Sequence, residues 1–267
     1  MLLREQIHTL AMALDQAEKS GVQISQFSLL YPHLSIEDAY AIQHAWVSHK
    51  LRQGSRVIGH KIGLTSRTMQ QSSNINEPDY GALLDNMQFS EGSELPMSRF
   101  ITPRVEVELA FVLEKPLWGP HCSIFDVLAA SQYVIPAIEI IDARIQPIDP
   151  GTQLRCKISD TISDNAASAG IVLGGRAIKV DQLDLRRVAA VLYRNGVIEE
   201  SGVAAAVLNH PAKGVAWLAN KLYDYGVSLQ ADQLILSGSF TRPVSAQAGD
   251  CFYIDYHELG TVAFRFI

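Results

Sequence analysis

Glu106 and Glu108 stand one residue apart in an otherwise apolar run, Arg104-Val105-Glu106-Val107-Glu108-Leu109-Ala110-Phe111-Val112. Side chains of a strand point alternately to its two faces. Val105, Val107, Leu109 and Phe111 therefore line one face, and Glu106, Glu108, Ala110 and Val112 the other. The glutamate face turns apolar further along, which marks it as interior. Two carboxylates on a buried face repel each other and are costly to desolvate, so something positive belongs between them. Glu139 is a third such acid, isolated in the strand-like run Val134-Ile135-Pro136-Ala137-Ile138-Glu139-Ile140-Ile141. If the two strands lie close, three carboxylates converge, and all-oxygen ligation favours Mg²⁺, Mn²⁺ or Ca²⁺ over zinc. The same spacing also fits a solvated strand face, with Glu139 paired to an arginine such as Arg144.

A lysine between glycines is the second chemical feature. In Val57-Ile58-Gly59-His60-Lys61-Ile62-Gly63-Leu64 the alternation puts Val57, Gly59, Lys61 and Gly63 on one face. Glycines inside a strand often mark close approach by a ligand or another backbone. A lysine confined there beside a metal would have its pKa lowered and could act as a general base. Lys61 could equally snorkel to solvent or pair with an acid. His60 points to the opposite face with Ile58 and Ile62, as a satisfied core histidine does. Asp160-Thr161-Ile162-Ser163-Asp164-Asn165-Ala166-Ala167 reads as a capped turn or a substrate-facing loop. Gly238-Ser239-Phe240-Thr241 closes the apolar run Leu234 to Leu236, where a hydroxyl and free amides can receive a carboxylate or simply turn the chain. Gly174-Gly175 lacks the surroundings of a phosphate loop, and no serine nucleophile elbow is present.

The elements that must position these residues are legible in outline. Leu3, Ile7, Leu10 and Leu14 predict an opening amphipathic helix. Ser35 with Asp38 predicts a second, bearing Ala39, Ile42 and Trp46 and stopping at Gly54. Strands are expected over 56–64, 104–113 and 134–145. Ser123 with Asp126 caps a short helix to about Tyr133. Asn195-Gly196 predicts a hairpin between 190–194 and 197–200, and Pro211 begins a helix with Val215, Leu218, Ala219 and Leu222. Several short strands are expected from Gln233 onward. The division is a helical segment over 1–55 packed on a β-rich catalytic body over 56–267, within one α+β domain. Regular strand-helix alternation is missing, which argues against a doubly wound sheet.

The formal charge is −6 over 267 residues, without a basic run. That excludes the electrostatic footprint of a nucleic-acid binder and gives acidic lipid headgroups nothing to attract. The three cysteines, Cys122, Cys156 and Cys251, form no Cys-x-x-Cys pair and suit a reducing compartment. The N-terminus has neither the apolar block of a signal peptide nor a membrane span, so a cytoplasmic protein is expected.

Taken together, the chain resembles the hydratase/decarboxylase branch of the fumarylacetoacetate hydrolase superfamily. The resemblance runs along almost the whole sequence. It includes Gly59-His60-Lys61-Ile62-Gly63-Leu64-Thr65-Ser66, Glu77-Pro78-Asp79-Tyr80-Gly81, the Glu106/Glu108 strand, Ile138-Glu139, Asp164-Asn165-Ala166, Asn209-His210-Pro211 and Gly238-Ser239-Phe240-Thr241. It implies a β-roll core and a divalent ion, Mg²⁺ with Mn²⁺ as an alternative, on Glu106, Glu108 and Glu139. It further implies Lys61 and Asp79 as catalytic residues, Ser239 and Asn165 as substrate contacts, and a large homo-oligomer. The implied activity is addition of water to an unsaturated 2-oxo dicarboxylic acid in aromatic-compound catabolism. Decarboxylation of a related oxo acid, Schiff-base chemistry at Lys61 and a non-catalytic oligomeric partner are the competing readings.

Overall fold

The computed structural model describes residues 1–267, the side chain of residue 72 excepted. The chain opens with helices α1 (Arg4–Ser20), α2 (Phe27–Leu30) and α3 (Ile36–Arg52). The Gln6 side chain accepts from Leu3 N at 2.8 Å, and Gly21 ends α1 with φ at 67°, a conformation suited to glycine. Ser35 caps α3 by accepting from Asp38 N at 3.1 Å. The one-turn helix α2 is too short to leave a periodic pattern in the sequence.

Strand β1 (Val57–Gly63), helix α4 (Arg67–Ser72) and strands β2 (Asp79–Leu84), β3 (Gln88–Ser90), β4 (Glu94–Leu95) and β5 (Arg104–Leu113) follow. Helix α5 (Ile124–Ala130) then leads directly into β6 (Ser131–Ile141). The expected extension of α5 to Tyr133 fails because the Ser131 hydroxyl donates back to Val127 O at 2.7 Å and its backbone is already extended. Helix α6 (Ile158–Ser163), strands β7 (Ser168–Leu173), β8 (Ala189–Arg194) and β9 (Val197–Val203), helix α7 (Pro211–Tyr223) and strands β10 (Leu234–Leu236), β11 (Val244–Ser245), β12 (Cys251–Asp255) and β13 (Thr261–Phe266) complete the chain. Asn195 and Gly196, both at positive φ, make the tight β8–β9 turn.

An eight-stranded sheet has the order β2-β1-β10-β5-β6-β7-β3, with β11 alongside β5, and a five-stranded sheet has the order β4-β13-β12-β8-β9. The larger sheet separates two apolar cores. Val105, Val107, Leu109 and Phe111 of β5 join Leu192, Phe252, Ile254 and Phe264 of the smaller sheet, and α7, in the first. Ala110 of β5 joins Leu83, Ala137, Ile171 and Leu236 in the second, which is covered by Leu10 and Leu14 of α1 and Ile42 and Trp46 of α3. The alternation expected for β5 is thus the division between two cores. Its glutamates lie on the same face as Ala110, the helix-covered one.

Candidate metal and proton-transfer site

Strands β5 and β6 run antiparallel with Glu106 opposite Glu139 and Glu108 opposite Ala137. Directly paired residues share a face, so three carboxylates meet. One oxygen from each of Glu106, Glu108 and Glu139 lies within 4.8 Å of the others. Glu108 and Glu139 are buried and Glu106 is partly exposed, so the cluster opens at the Glu106 end. Burial, then the charge on Glu139, pushes Glu106 up to about 7. The same two causes raise Glu108 well above the usual carboxylate range. Burial also raises Glu139, against the pull of Lys61. Neither Glu139 oxygen has a hydrogen-bond partner, although both are sealed from solvent. Glu108 accepts from Gly238 N at 2.8 Å. Three carboxylates this close together, with the sealed Glu139 oxygens free of any hydrogen bond, fit an oxygen-liganded divalent cation. The alternative partner for Glu139 is ruled out, because Arg144 forms its buried ion pair with Asp164.

Lys61 enters from β1, only 4 % exposed, with Nζ 3.3 Å from Glu139 Oε2. Burial works to lower its pKa, but the charges of Glu139, Asp79, Glu106 and Glu108 outweigh it and hold the ammonium above its ordinary value. The lowered pKa expected from confinement is therefore reversed by four carboxylates. Asp79 begins β2 opposite Gly63, while Gly81 lies opposite Lys61. Asp79 is buried, its Oδ1 has no hydrogen-bond partner, and burial raises its pKa against the pull of Lys61.

The glycines around Lys61 are needed for different reasons. A Cβ on Gly63 would fall 2.2 Å from Asp79 Oδ1 and 3.4 Å from Lys61 Nζ. One on Gly59 would fall 1.9 Å from Leu234 O in the neighbouring strand. Gly63→Ala is expected to displace Asp79 and Lys61 and to lower kcat by about 100-fold, the order seen for small misplacement of reacting groups. The folded content should survive, since the Asp79 side chain can swing away. Steady-state kinetics beside circular dichroism checks this, and unchanged kcat would mean that the tight contact carries no chemistry.

His60 faces away from the site but is not the satisfied histidine its position suggests. Its Nδ1 is sealed without a hydrogen-bond partner. Burial, with a smaller contribution from His44, lowers its pKa to about 4. The folded ring stays neutral while the unfolded ring takes up a proton below about pH 6.5. Stability should therefore fall as pH drops from about 6.5 to about 4, by up to about 3 kcal/mol at 1.36 kcal/mol per pH unit. Urea denaturation at pH 7.5 and 5 should show a smaller loss for His60→Gln than for the parent; equal losses would contradict a neutral buried ring.

The two expected substrate contacts fare differently. Asn165 is buried with its side chain committed to β2, accepting from Ala82 N at 2.8 Å and donating to Ala82 O at 2.9 Å. Its amide fixes the turn after α6 against the site's floor and is not free to meet a substrate. Ser239 lies next to Gly238, which binds Glu108, and its hydroxyl donates to Thr241 O at 3.0 Å. Arg67, Arg155 and Lys157, the basic residues that could meet a second carboxylate, are all exposed. Sequence reasoning missed Tyr256, whose buried hydroxyl lies 3.1 Å from Glu108 O and 2.7 Å from Ala137 O, pinning β5 to β6 beneath the carboxylates. No local pattern marks it, since its partners are more than 100 residues away in sequence.

No family model matches the chain. It is 63 % identical over 261 residues to the 2-oxo-hept-4-ene-1,7-dioate hydratase of Escherichia coli, covering 97 % of this chain and 98 % of that protein. Among solved structures, the 4-oxalocrotonate decarboxylase of Pseudomonas putida G7, complexed with magnesium and adipate, is 35 % identical. It superposes with a TM-score of 0.95 over 100 % of this chain and 99 % of the other. A fumarylacetoacetate hydrolase family protein from Yersinia pestis CO92 shares the fold at 17 % identity and a TM-score of 0.55, covering 78 % of this chain and 92 % of that one. With a hydratase and a decarboxylase both matched over nearly their full lengths, the chain belongs to the family of 2-oxo-hept-4-ene-1,7-dioate hydratases and 4-oxalocrotonate decarboxylases, and it shares the fold of a fumarylacetoacetate hydrolase family protein.

Proposed function

We propose that this chain is a Mg²⁺-dependent hydro-lyase that converts 2-oxo-hept-4-ene-1,7-dioate to 4-hydroxy-2-oxoheptane-1,7-dioate. The observation that carries the reading is the meeting of Glu106, Glu108 and Glu139 beside Lys61 and Asp79 in one buried site. The near-full-length identity to a hydratase of this substrate supports the choice of reaction. Glu106, Glu108 and Glu139 would hold the ion, with Mn²⁺ as an alternative. When bound, the ion supplies Lewis acidity that stabilises enolate charge on a 2-oxo acid.

Lys61 holds a proton where water is scarce and can exchange it with substrate carbons C3 and C5, bringing the double bond into conjugation with the C2 carbonyl. Asp79, on the same face and unpartnered at Oδ1, is placed to relay that proton or to orient the water that adds at C4. Protonation at C3 then completes the product. Glycine at position 63 leaves room between the two side chains. Ser239 is the nearby hydroxyl available to a substrate carboxylate, and it would have to exchange its present bond to Thr241 O.

Self-association is part of the reading. Strand β9 is the edge of the smaller sheet and exposes Val197, Ile198 and Val203, apolar surface that a homo-oligomer would cover. The three free cysteines suit the cytoplasm, and among the described residues no helix is long and apolar enough to cross a membrane.

The test is to incubate metal-stripped protein with 2-oxo-hept-4-ene-1,7-dioate, with and without Mg²⁺, and weigh the product. A gain of one water only with Mg²⁺ is expected. Loss of CO₂ would move the chain to the decarboxylase reaction, the second reading that the P. putida likeness favours. No conversion at all would overturn both.

A further inference from the structure

A carboxylate that must present a fixed oxygen to a cation is normally held from behind by an outer hydrogen-bond donor. Glu108 has such a donor in Gly238 N. Glu139 has none on its own strand, and Lys61 beside it is wanted for proton transfer. One further polar group lies on its face in the neighbouring strand, paired with Ile141 two residues along from Glu139. Ser168 is fully buried, and its Oγ is sealed without a hydrogen-bond partner.

The backbone puts that hydroxyl there by an irregularity. Strands β6 and β7 pair Glu139 with Ile171 and Ile140 with Gly170, but the next pair is Ile141 with Ser168. One residue of β7 is skipped. Under plain alternation Ser168 would share the face of Gly170 and Val172, away from Glu139. The extra residue turns it onto the face of its partner Ile141, which is the face of Glu139. A bulge that re-aims a side chain is a recurrent device beside active sites.

The chain just before Ser168 is held firmly in an unfavourable conformation. Asn165, Ala166 and Ala167 have φ of 52°, 50° and 58°, a left-handed turn without glycine that costs roughly 1–2 kcal/mol per residue. It is fixed by the Asn165 bonds to Ala82, by Asp142 N donating to Ala167 O at 2.7 Å, and by the Arg144 guanidinium donating to Ser168 O at 3.3 Å. The Ser168 hydroxyl is also among the groups that favour the ionised form of Glu139.

We propose that Ser168 is a positioning residue of the metal centre: its hydroxyl donates to Glu139 and sets the oxygen that faces the ion. The proposal rests on the reading of Glu106, Glu108 and Glu139 as that centre.

The test is calorimetric titration of Mg²⁺ into the metal-stripped full chain and into Ser168→Ala, Ser168→Cys, Ser168→Thr and Glu139→Gln, with the melting temperature of each metal-free protein. Ser168→Ala and Ser168→Cys are expected to weaken Mg²⁺ binding by about 10–100-fold, the range for lost outer-shell partners, with melting temperatures close to the parent. Ser168→Thr, which keeps the hydroxyl, should stay within about threefold of the parent if it acts only through Glu139. The cysteine variant leaves no cavity and replaces the hydroxyl with a much weaker donor, so a failure of the alanine variant to fold leaves the question answerable. Parental affinity in the cysteine or alanine variant, while Glu139→Gln binds poorly, would overturn the role of Ser168 and leave the metal centre standing. Parental affinity in Glu139→Gln would instead overturn the metal centre, and the proposal with it.

Discussion

Lys61→Ala lowers kcat by about 10²–10⁴-fold, the usual worth of a positioned acid–base group, while Mg²⁺ still binds. The expectation comes from the division of labour in the site. Lys61 is 3.3 Å from Glu139 but is not a ligand type for a hard cation. Removing it takes away a positive neighbour, so metal affinity should be kept or slightly strengthened. The reaction loses the one ammonium in the carboxylate cluster, and with it the group that exchanges protons with C3 and C5. Lys61→Arg should do little better, because a guanidinium does not release its proton. The measurement is kcat at saturating Mg²⁺ and substrate, together with the Mg²⁺ titration. Near-normal turnover in Lys61→Ala would remove it as the proton carrier. Trapping of the parent by borohydride in the presence of EDTA would point instead to a Schiff base.

Glu139→Gln has the second large effect. Glutamine keeps the shape and removes one charge from the centre of the cluster, since Glu139 is the charge that most strongly raises both Glu106 and Glu108. Mg²⁺ affinity should fall by at least about 100-fold, more than for loss of an outer-shell partner. At fixed Mg²⁺ the rate should fall by about a thousandfold, in line with several kcal/mol of lost Lewis-acid stabilisation. The metal-free variant should still fold, because the repulsion between like charges across β5 and β6 is relieved. A Glu139→Gln protein that binds Mg²⁺ normally and turns over normally would show that the three carboxylates serve another purpose.

Features decided by a few neighbouring residues are legible in the sequence alone. Ser35 and Ser123 cap their helices, Asn195-Gly196 turns its hairpin, Pro211 begins α7, and the alternation along β5 separates Glu106 and Glu108 from Val105 and Val107. Each depends on contacts within one turn or one pleat, where spacing in sequence is spacing in space. The α+β character follows from the same local patterns. The β-roll core, and the choice of Lys61 and Asp79 as partners, come from resemblance, because nothing around Asp79 distinguishes it from an ordinary strand start.

What only the tertiary structure decided is which faces meet. Glu106 lies opposite Glu139 because β5 and β6 pair in one register, and a slip of one residue would have sent Glu139 to the other core. Lys61 is charged up rather than down because four acids from three other strands surround it. Asn165 is spent on Ala82, His60 is left without a partner, and Ser168 is turned toward Glu139 by a bulge. Residue type and period, which the sequence determines by itself, say which side chains share a face of one strand. Pairing, register and bulges depend on contacts across tens of residues, and these place that face against its neighbours.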